Sequence, residues 1–341
     1  MASRIRAWTR RVLIPAAAMT LPLTACSAGG DAQAVLPNPE QGKVSSFALG
    51  ELSTRYDVDD AVAGSAWSSS LAWDRSGNVY MMNAGGNFDI LRMTPQGKVS
   101  RFAHVSYPGA AHGMAATPDG GVIIGGDSGL LQVNRKGASG FVRTSHQFVE
   151  PRPIGVRPDG SIIVLDGKSV WALKDDKATS LYGSHGGKLA VFGTVDASGT
   201  AYVQLTGQTF ADMLVLPLGQ APHRLPISGK VPGSRIPISA LSPQALAPAL
   251  GGGFYARGVY SVGNSAKYAS YVIHVRKTTG TVLIKATHDR ICPAGEQYPA
   301  LDSPCTMPWF VTQMGDRVLV MGSNTMSGKT VPALTVRANT K

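Results

Sequence analysis

Leu71-Ala72-Trp73-Asp74-Arg75-Ser76-Gly77-Asn78-Val79-Tyr80 is a short apolar run, a polar turn and a second apolar run, and the chain repeats it. Counterparts are Met114-Ala115-Ala116-Thr117-Pro118-Asp119-Gly120-Gly121-Val122-Ile123 and Ile154-Gly155-Val156-Arg157-Pro158-Asp159-Gly160-Ser161-Ile162-Ile163. A looser copy is Phe192-Gly193-Thr194-Val195-Asp196-Ala197-Ser198-Gly199-Thr200-Ala201-Tyr202. Each reads as a β-hairpin. Proline presets the first central dihedral of the turn, aspartate bonds its own backbone, and glycine takes the left-handed position of a three-residue hairpin loop. The flanking runs are rich in β-branched and aromatic residues, as strands are.

The turn glycines Gly77, Gly120, Gly160 and Gly199 recur at about forty residues, the length of a four-stranded propeller blade. A second hairpin follows each first one. Residues 90–95 turn through Gln96-Gly97 into 98–102, and residues 130–134 turn at Lys136-Gly137 into Phe141-Val142. Similar pairs join 170–173 to Ser180-Leu181, 213–217 to 223–227, and 271–275 to 281–285. Each unit thus supplies four antiparallel strands, and the fold expected is an all-β propeller of six blades. Small residues beside bulky ones in the first strands, Leu71-Ala72, Met114-Ala115, Ile154-Gly155 and Phe192-Gly193, suit inner strands that crowd toward a common axis.

Past the fourth unit the punctuation weakens. Residues 238–241, then Gly251-Gly252-Gly253-Phe254-Tyr255, predict a fifth unit whose first turn is enlarged through Pro243 and Pro248. Phe310-Val311-Thr312, residues 317–321 and residues 333–337 provide only three strands of a sixth. The missing strand lies at the other end of the chain. Gln41-Gly42-Lys43-Val44-Ser45-Ser46-Phe47-Ala48 is nearly identical to Gln96-Gly97-Lys98-Val99-Ser100-Arg101-Phe102-Ala103, the outer strand of the first unit. A strand at 43–48 is therefore expected to complete the last blade and close the ring, which removes an unpaired sheet edge.

Val79-Tyr80-Met81-Met82-Asn83-Ala84-Gly85-Gly86-Asn87-Phe88-Asp89-Ile90-Leu91-Arg92-Met93-Thr94-Pro95-Gln96-Gly97-Lys98 resembles an NHL repeat. The resemblance is good over residues 69–103, fair to about 183 and poor beyond. It implies a β-propeller of six blades. Members of that family include peptide-binding sensors, RNA binders, scaffold modules and metal-dependent lyases and lactonases, so the fold does not select the function.

The first residues indicate a compartment. Arg4, Arg6, Arg10 and Arg11 precede an apolar run at 12–25, too short for a stable membrane span. The run ends in Leu23-Thr24-Ala25-Cys26, which resembles a bacterial lipobox: residues 1–25 would be removed and Cys26 would carry diacylglycerol and a fatty acid such as palmitate. Thr9-Arg10-Arg11-Val12-Leu13 fits an ordinary basic n-region better than a twin-arginine motif. Residues 26–40 read as a flexible tether and 41–341 as one domain. The expectation is an extracytoplasmic lipoprotein on the outer face of the cell membrane, held by the acyl chains at Cys26.

The formal net charge of +11 falls to +7 once the four signal arginines are gone. Outside the cell a basic surface either serves solubility alone or meets anionic headgroups or wall polymers rather than nucleic acid. Cys292 and Cys305 then remain as an even pair in an oxidising compartment, which implies a disulfide.

Motifs for phosphate cradling, serine nucleophiles and zinc-protease helices are absent from the sequence. Gly85-Gly86, Gly125-Gly126 and residues 251–253 read as turn glycines. Candidate chemistry lies in the segments that lead into each inner strand, because in a propeller these converge on one mouth of the central channel. They carry Asp59 and Asp60, then His112, then Glu150 and Arg152, then His185, then Arg235, then Asp302 and Trp309. Trp67 and Trp309 suit a sugar- or peptide-binding rim. The leading reading is a non-catalytic module that binds a cell-envelope protein, peptide or glycan at this mouth, with no cofactor. The alternative is a metal-dependent lyase or hydrolase. Zinc or calcium would then be held by His112 and His185, with Glu150 as a base and His288 as a poorly placed third imidazole.

Overall fold

The protein is described by a computed structural model over residues 32–33, 36–48, 71–82, 87–183, 189–207, 209–261, 268–290, 292–305, 310–321 and 332–337. Among these residues the strands form six sheets, each built on four antiparallel strands, and together they make a β-propeller. Blade I comprises Leu71–Trp73, Val79–Met82, Asn87–Met93 and Lys98–Ser106, from the inner strand outward. Blade II comprises Ala111–Ala116, Val122–Gly126, Gly129–Val133 and Ser139–Phe141, and blade III Arg152–Val156, Ile162–Asp166, Ser169–Lys174 and Lys177–Gly183. Blade IV comprises Ala190–Val195, Ala201–Leu205, Leu214–Leu216 and His223–Arg224, and blade V Ser242–Pro248, Phe254–Ser261, Tyr268–Arg276 and Thr279–Arg290. Blade VI takes Phe310–Met314, Arg317–Met321 and Pro332–Arg337 from the end of the chain, and Lys43–Ala48 from its beginning.

This topology gives each blade two ends. Tight turns between the first and second strands, and between the third and outer strands, gather at the turn end. Links between blades and between second and third strands gather at the loop end. Side-chain chemistry explains the tight turns. Asp74 Oδ1 accepts the backbone N–H groups of Ser76 and Asn78, and its Oδ2 accepts the Tyr80 hydroxyl. Asp196 does the same for Ser198, Thr200 and Tyr202 in blade IV, on the opposite side of the ring. Burial, reinforced by these carboxylates, pushes both tyrosine hydroxyls well above their ordinary range. Gly77, Gly120, Gly160 and Gly199 all have φ between +80° and +86°, the left-handed position the turn demands.

The core lies in the wedges between blades. Met81, Leu91, Met93, Met314, Leu319 and Met321 fill the wedge from blade VI to blade I, and every one of them is buried. Nearer the axis the inner strands leave little room. A Cβ on Gly155 would sit 2.5 Å from Val195 Cβ, and one on Gly193 would sit 2.5 Å from Ile154 Cδ1. The small residues of these strands are thus a packing requirement of the ring.

Two details differ from expectation. Pro243 and Pro248 belong to the inner strand Ser242–Pro248 of blade V, not to an enlarged turn, and residues 238–240 form a single 3-10 turn. An inner strand pairs on one side only, so a proline whose nitrogen faces the channel loses no ladder bond. Gly125-Gly126 also lies within a strand, where a Cβ would meet Pro151 O at 2.1 Å and Ala110 O at 2.0 Å. These are close-approach glycines, not turn glycines.

The ring closes as the duplicated octapeptide indicates. Val44 pairs with Val336, Ser45 with Thr335, Ser46 with Leu334 and Phe47 with Ala333. The other edge of this strand is also covered. Gln297–Pro299 pairs with it through Lys43↔Pro299, Val44↔Tyr298 and Ser45↔Gln297. Gly295 N donates to Ser46 O, Ser46 Oγ to Pro293 O, and Ala300 N to Gly42 O. These residues all sit in the loop closed by the Cys292–Cys305 disulfide. The loop springs from blade V, so the disulfide holds a clasp over the closing strand of blade VI.

Removing the disulfide by Cys292→Ser with Cys305→Ser is expected to cost about 3 kcal/mol, and deletion of residues 41–48 to cost more. Combined, the two changes should cost no more than the deletion alone, because clasp and strand form one unit. Denaturant unfolding measures this, and an additive sum would show that the bridge stabilises only its own loop. Gly155→Ala should cost about 1–3 kcal/mol through the Val195 clash. Gly183→Ala, with nothing within 4 Å of the new methyl, is the control expected to change the unfolding midpoint little.

Candidate functional site

Equivalent hydrogen bonds position the segments that lead into the inner strands at the loop end. In blades II, III and IV the residue at the end of the second strand turns back and holds the incoming backbone. In blade II, Ala110 N donates to Asp127 Oδ2 at 2.8 Å. In blade III, Glu150 N donates to Asp166 Oδ1 at 2.9 Å, with Val149 N at 3.2 Å. In blade IV, Leu189 N donates to Thr206 Oγ1 at 2.7 Å. The loop ahead of blade III is further pinned by His146, whose ring stacks on Trp171 at 4.0 Å between centroids, with Phe148 edge-on to both.

These anchors bring three of the expected site residues together. The inner strand of blade II shifts register between Ala111 and Gly113, which makes His112 the extra residue of a β-bulge. Bulges re-aim side chains, and the His112 Nε2–H donates to Asp127 Oδ1 at 2.6 Å. Gly113 beside it is the point of contact with the next blade: its missing Cβ would lie 3.5 Å from Arg152 Cβ. Arg152 Nη2 stands 3.5 Å from Glu150 Oε2. His112 and Arg152 are about three-quarters buried at their side chains, whereas Asp127 and Glu150 are half exposed. The Ala110 N–H, and then His112, hold the Asp127 carboxyl below the usual carboxylate range. Two exposed aliphatics, Val149 at 76% and Leu189 at 46%, stand on the same rim.

Other expected residues fall elsewhere. Arg235 lies in the turn closed by Val231 N to Ile236 O, on a linker bonded to Thr278 and Gly280 at the outer part of blade V. Asp302 is in the clasp loop, where Ala300–Asp302 forms a 3-10 turn. His288 is in the outer strand of blade V. Cys26, Asp59, Asp60, Trp67, His185 and Trp309 lie outside the described residues.

Asp127 was not among the residues singled out from sequence. The signal was present in Gly126-Asp127-Ser128-Gly129, aligned with Leu165-Asp166-Gly167-Lys168 at the end of the neighbouring second strand. Only the pairing frame makes the two positions equivalent.

The channel itself is narrow. A cavity of about 90 Å³ occupies its turn half, between the ends of the inner strands and beside Trp73, Thr117, Thr194, Asp196 and Thr312. This is room for a few waters, against the several hundred Å³ of a typical small-molecule site. Asp74 and Asp196 line it, but their oxygens are committed to their own turns. Among the described residues no group of three or more histidines, cysteines and carboxylates stands close enough to hold a metal. The Nε2 of His112 is given to Asp127, which leaves its Nδ1 as the nitrogen open to a ligand.

No family model matches the sequence, and no curated protein matches it. In structure the chain is similar to a streptogramin B lyase, at 10% identity and a TM-score of 0.52 over 87% of this chain and 99% of that one. It is also similar to a gluconolactonase from Xanthomonas campestris, at 14% identity and a TM-score of 0.50 over 89% of this chain and 99% of that one. At such identities the likeness is one of fold, and the class it supports is the β-propeller.

A carboxyl with a depressed pKa contributes stability above its ordinary value and loses it as pH falls through the depressed one. Asp127→Asn is therefore expected to lower the unfolding midpoint at pH 7. The gap to the unsubstituted protein should narrow as pH drops below 3.8, the ordinary value of this group. A gap that stays constant down to pH 3 would show that the bond from Ala110 does not depend on carboxylate charge.

Proposed function

We propose that the chain is an extracytoplasmic, lipid-anchored propeller of NHL-like repeats that binds a cell-envelope protein or peptide across the loop mouth of its channel, without chemistry. The observation that carries this reading is the rim built by His112–Asp127, Arg152–Glu150, Val149 and Leu189 on three successive blades. It combines hydrogen-bonding charge with exposed aliphatic surface, as protein-binding patches do. The cavity in the turn half of the channel has room for only a few waters, which favours a partner that lies over the mouth. Anchoring rests on Leu23-Thr24-Ala25-Cys26 and on the basic and apolar residues ahead of it.

A second reading, a metal-dependent lyase or hydrolase, draws support from one feature. A carboxylate that fixes an imidazole, as Asp127 fixes His112, is the usual support of a metal-binding or proton-transferring histidine.

A photo-crosslinking residue at Val149, introduced into the full chain in its native cell, is expected to capture one discrete envelope protein. Arg152→Glu should lose that product. Capture that survives Arg152→Glu unchanged would displace the binding site from this rim. Stoichiometric zinc or calcium in the purified protein, lost on His112→Ala, would replace the binding reading with the enzyme.

A further inference from the structure

The N-terminal segment leaves the ring at its turn end. Ala32–Gln33 pairs with Val99 and Lys98 at the start of the outer strand of blade I. Arg317, beside the first turn of blade VI, donates to the carbonyls of Leu36 and Pro37, and to Pro95 in a turn of blade I at 2.8 Å. The stretch expected as a flexible tether, residues 26–40, is thus partly attached to the propeller. Ala32 follows Cys26 by six positions. An extended chain covers at most about 3.6 Å per residue, so this leash reaches about 20 Å.

Two dibasic turns stand at that same end. Arg135-Lys136 lies between the third and outer strands of blade II, and Arg276-Lys277 between those of blade V. Blades II and V are opposite one another in a six-bladed ring, and all four side chains are exposed. Leu218 and Leu250, at 41% and 42% exposure, project from neighbouring turns of blades IV and V. Acids are also present at this end: Asp119 accepts from the Thr117 hydroxyl, and Asp316 stands 4.0 Å from Arg317. Asp175-Asp176 is flanked by Lys174 and Lys177, and Asp159 bonds Ser161 and stands 3.8 Å from Lys174. Basic and apolar groups together on one face, with supports on opposite sides of a ring, suit a flat anionic surface.

We propose that the turn end of the propeller seats on an anionic lipid bilayer through Arg135-Lys136 and Arg276-Lys277, with the loop mouth facing away from the membrane. The leash in this arrangement rests on the reading of Cys26 as acylated. Each basic side chain near an anionic leaflet strengthens binding about fivefold before screening. Four of them can orient a domain that the anchor alone would leave free to turn. The partner site at the loop mouth is then presented outward.

The test uses the mature acylated chain and its Cys26→Ser form, with an environment-sensitive dye at Gln220→Cys, a turn of blade IV, or at Val149→Cys on the loop rim. Vesicles of phosphatidylcholine carry a lipid-borne quencher, with or without phosphatidylglycerol. Quenching is expected at residue 220 and not at 149, and only with phosphatidylglycerol. Removing the four charges by Arg135→Gln, Lys136→Gln, Arg276→Gln and Lys277→Asn should weaken binding of the Cys26→Ser form at least tenfold. Quenching at 149 instead of 220, or unchanged binding of the four-charge variant, overturns the proposal. So does shielding of residue 220 that occurs in native membranes but not in protein-free vesicles, which would assign the face to a protein. The mass of the purified chain reports acylation separately. A bare Cys26 with residue 220 still quenched removes the anchor and keeps the docking; an acylated Cys26 with neither dye quenched keeps the anchor and overturns the docking.

Discussion

The pairing of Lys43–Ala48 with Pro332–Arg337 is the contact on which the ring depends. A propeller blade buries its faces only against its neighbours, so a gap between blades VI and I would expose the wedge of Met81, Met93, Leu319 and Met321. Blade VI must therefore be complete. A strand supplied from the far end of the chain achieves this by backbone hydrogen bonds, and the clasp loop from blade V covers its remaining edge. The disulfide sits where it limits the escape of that strand, and Arg317 holds the residues just before it.

The general plan was legible because it rests on short-range turn chemistry. Asp74 and Asp196 bond their own turns, and the glycines that follow take positive φ, so a four-residue signature marks each hairpin wherever it occurs. The duplicated octapeptide carried the ring closure for a similar reason, since two outer strands meet the same demands on each side. Blade V was less legible. Its inner strand contains two prolines, which ordinarily argue against a strand, and only the absence of a partner on the channel side makes them acceptable there. The clasp was invisible as structure. A cysteine pair indicates a closed loop but says nothing of what the loop lies upon.

The site was half legible. Convergence of the incoming segments on one mouth follows from the topology, and it brought His112, Glu150 and Arg152 to adjacent blades. Their immediate partners do not follow from it. Asp127 reaches His112 across fifteen residues through a β-bulge, and a bulge shifts register by one without leaving a mark in composition. Gly125 and Gly126 are the nearest thing to such a mark, because the backbone of blade III passes too close for any side chain at Gly125. Arg235 failed for the opposite reason. Its distance before the inner strand suggested the mouth, but the long linker packs along blade V and spends those residues on the outside.

The same packing decides where function can reside. Inner strands that need glycine at positions 155 and 193 to pass one another leave a cavity of only about 90 Å³ in the turn half of the channel. The carboxylates that do reach the turn half of the channel are consumed by the hairpins they build. What remains accessible is the two rims, and they differ in character. The loop rim carries paired opposite charges and aliphatics held on short loops, a composition suited to recognising a shaped partner. The turn rim carries separated basic pairs and two leucines on hairpin tips, a composition suited to a surface without shape. The earliest described residues, Ala32–Gln33, pair with the outer strand of blade I at this second rim, so the two rims also differ in how much backbone covers them.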